Sequence, residues 1–287
     1  MNNKPRVTDV GFTASDRMYV TLEGCGDFSL RKTFDCGQTF RFEAADANTV
    51  EGVALGRLLR LTQTEDGSIE INCTLEEFEG VWKHYLALDR DYGKINRYFS
   101  EGNDEVLKKA SLYGKGIHIL RQDPWEALCS FIISQNNNIP RIKKIIAAMS
   151  EKYGESLGGG NYAFPTAKAL NTAGESEIFA LKTGFRAKYI ADAAARVCDG
   201  RLDLDTLDGD TDECAKKLCE VKGIGPKVAL CSLLFGFGKL DAFPVDVWIR
   251  RVMEKYFREG FTPAELGPYA GIAQQYLFYY ERYIVNK

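Results

Sequence analysis

A lysine occupies an unusual position in the segment "GIGPKVALC", which runs from Gly223 to Cys231. Two glycines and a proline come just before Lys227 and an apolar run follows it, so the pattern predicts a tight turn followed by a buried helix. The N-terminal end of a helix carries partial positive charge, which disfavours a cation at that position. We therefore expect that Lys227 either points into water or has a chemical use.

The same turn offers a site for an anion. Helices predicted at 212–221 and 226–235 leave only Gly223, Ile224 and Gly225 between them, which is enough for a tight hairpin. Glycines permit positive φ and leave backbone N–H groups bare, and the second helix adds its positive end. The segment at about 212–235 therefore suits a DNA phosphodiester, as in a helix–hairpin–helix clamp. A plain interhelical turn is the alternative interpretation.

Asp246, in "FPVDVWIRR", is the acidic group that could join this lysine. The helix at 226–235 runs about 15 Å outward. The segment "GFGKLDAFP" then reverses the chain, so Asp246 can return beside Lys227. Asp246 also precedes a helix predicted at 247–257, where N-capping alone would account for an aspartate.

The composition describes an ordinary globular protein. The 287 residues are 45% hydrophobic and 27% charged, enough for one or two domains. A net charge of −3 argues against a protein that coats nucleic acid by bulk electrostatics, although local cations can still grip single phosphates. The start, "MNNKPRVTDVGF", does not read as a signal peptide and no run reaches membrane-spanning length. These features predict a cytoplasmic protein without a membrane partner.

The cysteines do not suggest a metal site. The chain has eight cysteines without a CxxC pair and only two histidines. Neither zinc nor an iron–sulfur cluster is expected from this pattern. In a cytosolic protein such cysteines mostly act as small buried hydrophobes.

Secondary-structure signals divide the chain into a β-rich part and a helical part. The strands are predicted at "RMYVTL", "FSLRKTF", "TFRFEA", "RLLRLTQ" and "SIEINC". Thr74 and Glu77 form a capping box, and Asp123, Pro124 and Glu126 open another helix. Further helices are predicted at 139–152, 186–198, 212–221, 226–235, 247–257 and 269–283. The fold class is α+β, with an antiparallel β-rich domain and flanking helices at 1–115 and a larger all-helical domain at 116–287.

The hairpin, Lys227, Asp246 and "PVDV" together resemble the helix–hairpin–helix DNA glycosylase superfamily. Within that superfamily the chain is most similar to the 8-oxoguanine DNA glycosylases. The similarity spans nearly the whole chain, in seven stretches that occur in order: "CGQTFRF", "LTQTED", "LRQDPWEALCSFIISQNNNIPRI", "GFRAKYI", "KGIGPKVALC", "PVDV" and "GPYAGIAQQYLF". The resemblance implies a TBP-like N-terminal sheet, a monomer, and double-stranded DNA containing 8-oxoguanine as the partner.

The resemblance assigns catalysis to two residues. Breaking the bond between a base and C1′ develops positive charge on the sugar, which a carboxylate stabilises while a nucleophile captures the carbon. By resemblance, Asp246 is that carboxylate and Lys227 is the nucleophile. An amine forms a Schiff base, which permits β-elimination and strand nicking, so Lys227 implies a bifunctional glycosylase/lyase. The amine must be neutral to attack, whereas a nearby carboxylate favours the ammonium form.

The resemblance also assigns residues to the lesion base. In 8-oxoguanine N7 carries a hydrogen, whereas in guanine it is an acceptor, so a positioned carbonyl separates the two bases. That carbonyl would belong to Gly37. Gln274 would bind the pairing edge and Phe278, four residues on, would stack on the ring, with Cys231 on the other side. From local spacing alone, Phe278 and Cys231 fit a core better than a binding site, and Gly37 fits a simple turn equally well.

Four further residues are implied for the opposite strand and the vacated space. A base inside a duplex must be extruded before it is excised. By resemblance Asn136 fills the gap, Arg141 and Arg186 read the orphaned cytosine, and Phe185 is a wedge beside it. Phe185 on its own would more often be a core residue.

Backbone contacts would come from the hairpin, with Gly223, Gly225, Lys222 and Trp248. Three residues depart from the family pattern, because Phe185 replaces a tyrosine, Trp248 a histidine and Lys222 a proline. No cofactor and no iron–sulfur cluster are implied, and the pattern leaves open whether the hairpin carbonyls hold a monovalent cation.

Three functional hypotheses follow. The first is a bifunctional glycosylase/lyase that excises 8-oxoguanine opposite cytosine. The second is a monofunctional or differently specific glycosylase of the same fold, in which Asp246 activates water. The third is a non-catalytic DNA-binding protein in which Lys227 contacts a phosphate.

Overall fold

The structure is a computed structural model that describes residues 5–12 and 18–285. Six strands form one antiparallel sheet in the order β1-β2-β6-β5-β4-β3. They are β1 Arg6–Phe12, β2 Met18–Glu23, β3 Phe42–Ala44, β4 Thr49–Ala54, β5 Arg57–Gln63 and β6 Ile69–Ile71. The helices after the sheet, together with this arrangement, confirm the predicted α+β class.

Thirteen α-helices and a second, two-stranded sheet complete the regular structure of the described residues. The helices are α1 Leu30–Asp35, α2 Leu75–Glu77, α3 Lys83–Tyr85, α4 Tyr92–Ser100, α5 Glu105–Gly114, α6 Pro124–Ser134, α7 Ile139–Tyr153, α8 Ala167–Ile178, α9 Ala187–Cys198, α10 Thr211–Cys219, α11 Pro226–Gly236, α12 Val247–Tyr256 and α13 Ala270–Tyr280. The small sheet pairs β7 Ser156–Gly158 with β8 Asn161–Tyr162. Short π- and 3₁₀-turns join several of these elements, including a π-turn at Glu281–Val285 that continues α13.

One strand prediction was wrong. The segment "FSLRKTF" forms α1 rather than a strand, because the Ser29 side chain caps the backbone N–H of Lys32 at 3.4 Å. Leu30 and Phe34 then lie four residues apart on the buried face of a helix. The sequence analysis also missed β1, β4 and the β7–β8 hairpin, and it did not separate α4, α5 and α8.

The N-cap signals were confirmed. Thr74 and Glu77 form the capping box, with each side chain bonded to the other residue's backbone N–H. Asp123 accepts from the backbone N–H of Glu126 at 2.8 Å, and Pro124 begins α6. These signals are local, so they do not depend on tertiary packing.

Two hydrophobic cores underlie the architecture. One lies on the large sheet and includes Leu22, Leu61, Ile71 and Trp82. The other fills the helical part and takes in residues of α4 and α5 as well as the later helices, such as Ile95. The predicted boundary between residues 115 and 116 stays a prediction. Among the described residues, no helix is both long and apolar enough to cross a bilayer.

Candidate active site

The hairpin between α10 and α11 can only be built with glycine at its first bend. Gly223 has φ +78°, and a Cβ added there would lie 2.3 Å from the ring of Tyr189. Gly225 is the N-cap of α11 and provides no side-chain cap. The first turn of α11 therefore keeps backbone N–H groups that an anion can use.

Lys227 lies in the first turn of α11, half-buried against α6. Its Nζ donates to the Oγ of Ser134 at 3.3 Å and lies 5.6 Å from the centroid of the Phe131 ring. Ser134 in turn donates to the carbonyl of Phe131 at 2.8 Å. The amine is thus held at the edge of the helical core rather than extended into bulk water.

Asp246 caps α12 and also belongs to this site. Its Oδ1 accepts from the backbone N–H of Ile249 at 2.8 Å, which confirms the N-cap interpretation. The pKa of the Cys231 thiol is raised above its ordinary value. Burial is the main cause; the nearby Lys227 ammonium lowers the pKa and the nearby Asp246 carboxylate raises it. Since both charges act on one thiol, the chain reversal does bring Lys227 and Asp246 into the same neighbourhood.

The predicted base-binding residues Cys231, Gln274 and Phe278 are all buried, with 5%, 5% and 8% of their surfaces exposed. Helix α13 packs closely on α11, since a Cβ added at Gly271 would lie 2.4 Å from Leu234. The Oε1 of Gln274 is buried and has no hydrogen-bond partner among the described residues. A buried amide oxygen without a partner is costly unless a ligand satisfies it.

Gly37 lies beside this helix. Its φ is +82°, and the nearest neighbour of an added Cβ would be the Cδ1 of Ile139 at 3.7 Å. The adjacent Cys36 carbonyl accepts from the Nε2 of Gln275 on α13 at 2.9 Å. Among the described residues, none donates a hydrogen bond to the Gly37 carbonyl. The structure therefore brings Gly37 next to the helix that carries Gln274 and Phe278.

The loop between α6 and α7 carries Asn136 at an exposed position with φ +51°. The guanidinium of Arg186 holds this loop by donating to the carbonyls of Gln135 and, at 2.9 Å, of Asn136 itself. It also donates to the carbonyl of Thr183 at 3.1 Å. Burial lowers the pKa of Arg186, and the nearby Arg141 lowers it further.

Phe185 and Arg141 are both exposed to solvent near the segment 182–186. The Phe185 side chain is 47% exposed, and the Arg186 guanidinium lies 4.4 Å from its ring centroid. Arg141 is exposed and donates to the carbonyl of Lys182 at 3.2 Å. The structure therefore places Asn136, Arg141, Phe185 and Arg186 together, but it engages Arg186 with backbone carbonyls.

Comparison with known proteins places these features in a family. The family model for the 8-oxoguanine DNA glycosylase N-terminal domain matches residues 23–128, and the model for the HhH-GPD superfamily base excision DNA repair protein matches residues 129–265. A structure of MBOgg1 in complex with a low affinity DNA ligand is 41% identical with a TM-score of 0.89, over 99% of this chain and 100% of that one. The chain belongs to the 8-oxoguanine DNA glycosylase family.

Two other relatives agree with this assignment. The apo 8-oxoguanine glycosylase/lyase of Clostridium acetobutylicum is 38% identical with a TM-score of 0.87, over 98% of this chain and 100% of that one. The same protein has been solved with double-stranded DNA containing cytosine opposite to 8-oxoG. The N-glycosylase/DNA lyase OGG1 of Arabidopsis thaliana is 29% identical over 90% of this chain and 74% of its own length.

Two departures of this glycosylase from the family pattern can be placed. Lys222 is exposed, and its backbone N–H donates to Asp192 at 2.8 Å, so that amide is already satisfied. Trp248 is half-buried, and the guanidinium of Arg251 lies 5.1 Å from its ring centroid. The Arg251 guanidinium therefore lies close to Trp248, the residue at the position where the family pattern has a histidine.

Ser134 is a site residue that sequence reasoning missed. The only signal was its place at the end of α6, just before the asparagine triplet, and that place does not reveal its contact with Lys227. Within the described residues, no group of three or more His, Cys, Asp or Glu side chains is arranged to hold a metal ion.

Proposed function

We propose that this glycosylase excises 8-oxoguanine opposite cytosine and then nicks the strand, with Lys227 as nucleophile and Asp246 as the stabilising carboxylate. The observation that carries the proposal is the placement of Lys227 and Asp246 near the Cys231 thiol, together with a buried acceptor on Gln274 that has no partner among the described residues. An amine nucleophile, a carboxylate and a polar group that can bind the base are the parts that base excision requires.

The chemistry follows from the amine. The neutral Nζ of Lys227 bonds to C1′ as the bond from C1′ to the base breaks, and the base departs with the electron pair and takes up a proton. Opening of the sugar ring gives a protonated Schiff base, which acidifies the hydrogen on C2′. Loss of that proton expels the 3′ phosphate by β-elimination and nicks the strand. Asp246 stabilises the positive charge that develops on the sugar in the first step.

Recognition of the lesion depends on the Gly37 carbonyl. The hydrogen on N7 of 8-oxoguanine donates to this carbonyl, whereas the N7 lone pair of guanine would face it unfavourably. The Oε1 of Gln274 accepts from the N–H groups of the pairing edge, which would satisfy its missing hydrogen bond. Phe278 and Cys231 cover the two faces of the ring.

The exposed side of the site engages the rest of the duplex. Asn136 enters the space that the lesion leaves, and Phe185 stacks beside it. Arg141 reads the orphaned cytosine, and Arg186 joins it by exchanging part of its contacts with the loop carbonyls.

The hairpin anchors the phosphodiester backbone. The N–H groups after Gly223 and Gly225 bind a phosphate, with Lys222 and Trp248 on either side. A monovalent cation at the hairpin carbonyls would strengthen this contact, and titrating DNA affinity against sodium and potassium at constant ionic strength would detect it. We also propose a monomer and a cytoplasmic location, which sedimentation and cell fractionation would test.

The test uses duplexes that carry 8-oxoguanine opposite each of the four bases. We expect free 8-oxoguanine and a nicked strand, most rapidly opposite cytosine. Base release without nicking would instead identify a monofunctional glycosylase. DNA binding without base release would identify a non-catalytic DNA-binding protein, and either result would overturn the proposal.

A further inference from the structure

The two residues before Gly37 are held by side chains of α13 and of the π-turn that continues it. The Nε2 of Gln275 donates to the Cys36 carbonyl at 2.9 Å, and the hydroxyl of Tyr283 donates to the Asp35 carbonyl at 2.9 Å. Gln275 is buried, with 3% of its surface exposed. Two consecutive carbonyls before Gly37 are therefore attached to the element that carries Gln274 and Phe278.

Gln38 holds the other end of the same segment. Its Nε2 donates to the carbonyls of Thr33 and His118, each at 2.8 Å, and its Oε1 accepts from the N–H of Leu120 at 2.9 Å. Its own carbonyl accepts from the Nε2 of Gln122 at 2.7 Å. The carbonyls of residues 35, 36 and 38 thus each accept a side-chain hydrogen bond, while within the described chain the carbonyl of Gly37 accepts none.

A glycine carbonyl needs such external support to have a fixed direction. Glycine adopts positive and negative φ with similar ease, so the backbone at Gly37 does not by itself choose the +82° conformation. Neighbouring contacts must make that choice. The Gln275 bond is the one that ties this choice to α13, because it holds the peptide group immediately before Gly37.

We propose that Gln275 is a positioning residue for lesion discrimination, assisted by Tyr283. By anchoring the Cys36 and Asp35 carbonyls to α13 and the turn after it, these side chains fix the Gly37 carbonyl relative to the Gln274 amide. The two groups that read N7 and the pairing edge then keep a constant separation. This inference rests on the proposed function, because it specifies how that pocket separates 8-oxoguanine from guanine.

The first variant is Gln275→Met, which keeps the length of the side chain and removes its donor. On a duplex with 8-oxoguanine opposite cytosine, we expect the single-turnover excision rate to fall about tenfold, the typical effect of one neutral hydrogen bond. Cleavage of a duplex with a ready-made abasic site should not change, because that reaction needs Lys227 but no base recognition.

A binding measurement isolates discrimination from rate. In a Lys227→Gln background, the ratio of dissociation constants for guanine and 8-oxoguanine duplexes should shrink when Gln275→Met is added. Tyr283→Phe should shrink the ratio less, because its bond lies one residue further from Gly37. Tyr279→Phe is the matched control, because the Tyr279 hydroxyl makes no hydrogen bond to any described residue. Its ring packs against that of Tyr283, so both variants change the same aromatic pair.

The outcomes separate this inference from the proposed function. An unchanged ratio and excision rate in Gln275→Met, with abasic cleavage intact, would overturn the positioning role alone. A parallel loss of excision and abasic cleavage would also overturn it, because it would show general structural damage. Absence of abasic cleavage in the unmutated protein would instead contradict the proposed lyase.

Discussion

The proposed base pocket around Gln274 and Phe278 and the proposed DNA-binding loop around Asn136 differ in how many of their polar groups already have partners. In the pocket, Gln274 and Phe278 are almost fully buried, and one amide oxygen lacks a partner. On the loop, Asn136 and Phe185 are exposed, and Arg186 is already bonded to backbone carbonyls. Under the proposed function, a base would supply the hydrogen bond that Gln274 lacks, whereas Arg186 would have to exchange existing bonds to engage DNA.

The difference indicates where specificity and affinity arise. A preorganised pocket loses little entropy when the correct base enters. Differences in binding free energy between bases are therefore expressed almost fully in the excision rate. An exposed loop contributes to holding and deforming the duplex, which depends less on the identity of the lesion. Three substitutions test this division, in order of decreasing expected effect.

Asp246→Asn should produce the largest change. Asparagine caps a helix about as well as aspartate, so the bond to the Ile249 N–H is kept and the thermal midpoint should stay unchanged. Loss of the negative charge should lower the excision rate about a hundredfold or more. Single-turnover kinetics would measure this. An unchanged excision rate would mean that Asp246 only caps the helix.

Gln274→Met should lower activity and raise stability together. Removing the unsatisfied buried oxygen should stabilise the fold by about 1 kcal/mol. Excision of 8-oxoguanine should fall about ten- to a hundredfold, because a site built to hydrogen-bond its substrate loses its contact. Denaturant unfolding and excision assays on the same preparation would show this. A destabilised variant with normal excision would mean that the pocket is ordinary core.

Phe185→Ala should produce the smallest change, on affinity rather than stability. If the exposed ring stacks on DNA as proposed, its removal should raise the dissociation constant about tenfold with no change in thermal midpoint. Phe179→Ala is the matched control, because that ring is 60% exposed and has no assigned contact with DNA. Equal effects in the two variants would mean that Phe185 has no specific contact with DNA. The loop would then contribute less to affinity than the comparison of the two regions predicts.

Local signals in the sequence predicted much of this architecture. The caps at Thr74, Asp123 and Asp246 depend on one side chain and a nearby N–H, so residue type and spacing were sufficient. The segment "FSLRKTF" was misassigned because its alternating apolar residues fit a strand as well as a short capped helix. The α+β class followed from the strand and helix patterns. The return of Asp246 towards Lys227 followed from the length of the helix at 226–235 and the turn after it.

The contacts that adjust the site could not be predicted in this way. The carbonyls that hold Arg186 belong to Gln135 and Asn136, about fifty residues away in sequence, and the Gln275 donor reaches a carbonyl more than two hundred residues earlier. No periodicity or motif encodes such pairs, because they arise only when the two parts of the chain pack. The family resemblance assigned residues to the site, but it did not indicate which of them already make hydrogen bonds within the protein.

The most direct test of the central claim is borohydride trapping on a duplex carrying 8-oxoguanine opposite cytosine. Borohydride reduces an imine to a stable amine, so a lysine Schiff base becomes a covalent protein–DNA adduct. We predict one adduct, mapped to Lys227 by peptide sequencing and absent from Lys227→Gln, which still binds the duplex. No adduct with the unmutated protein, or an adduct that persists in Lys227→Gln, would contradict the account.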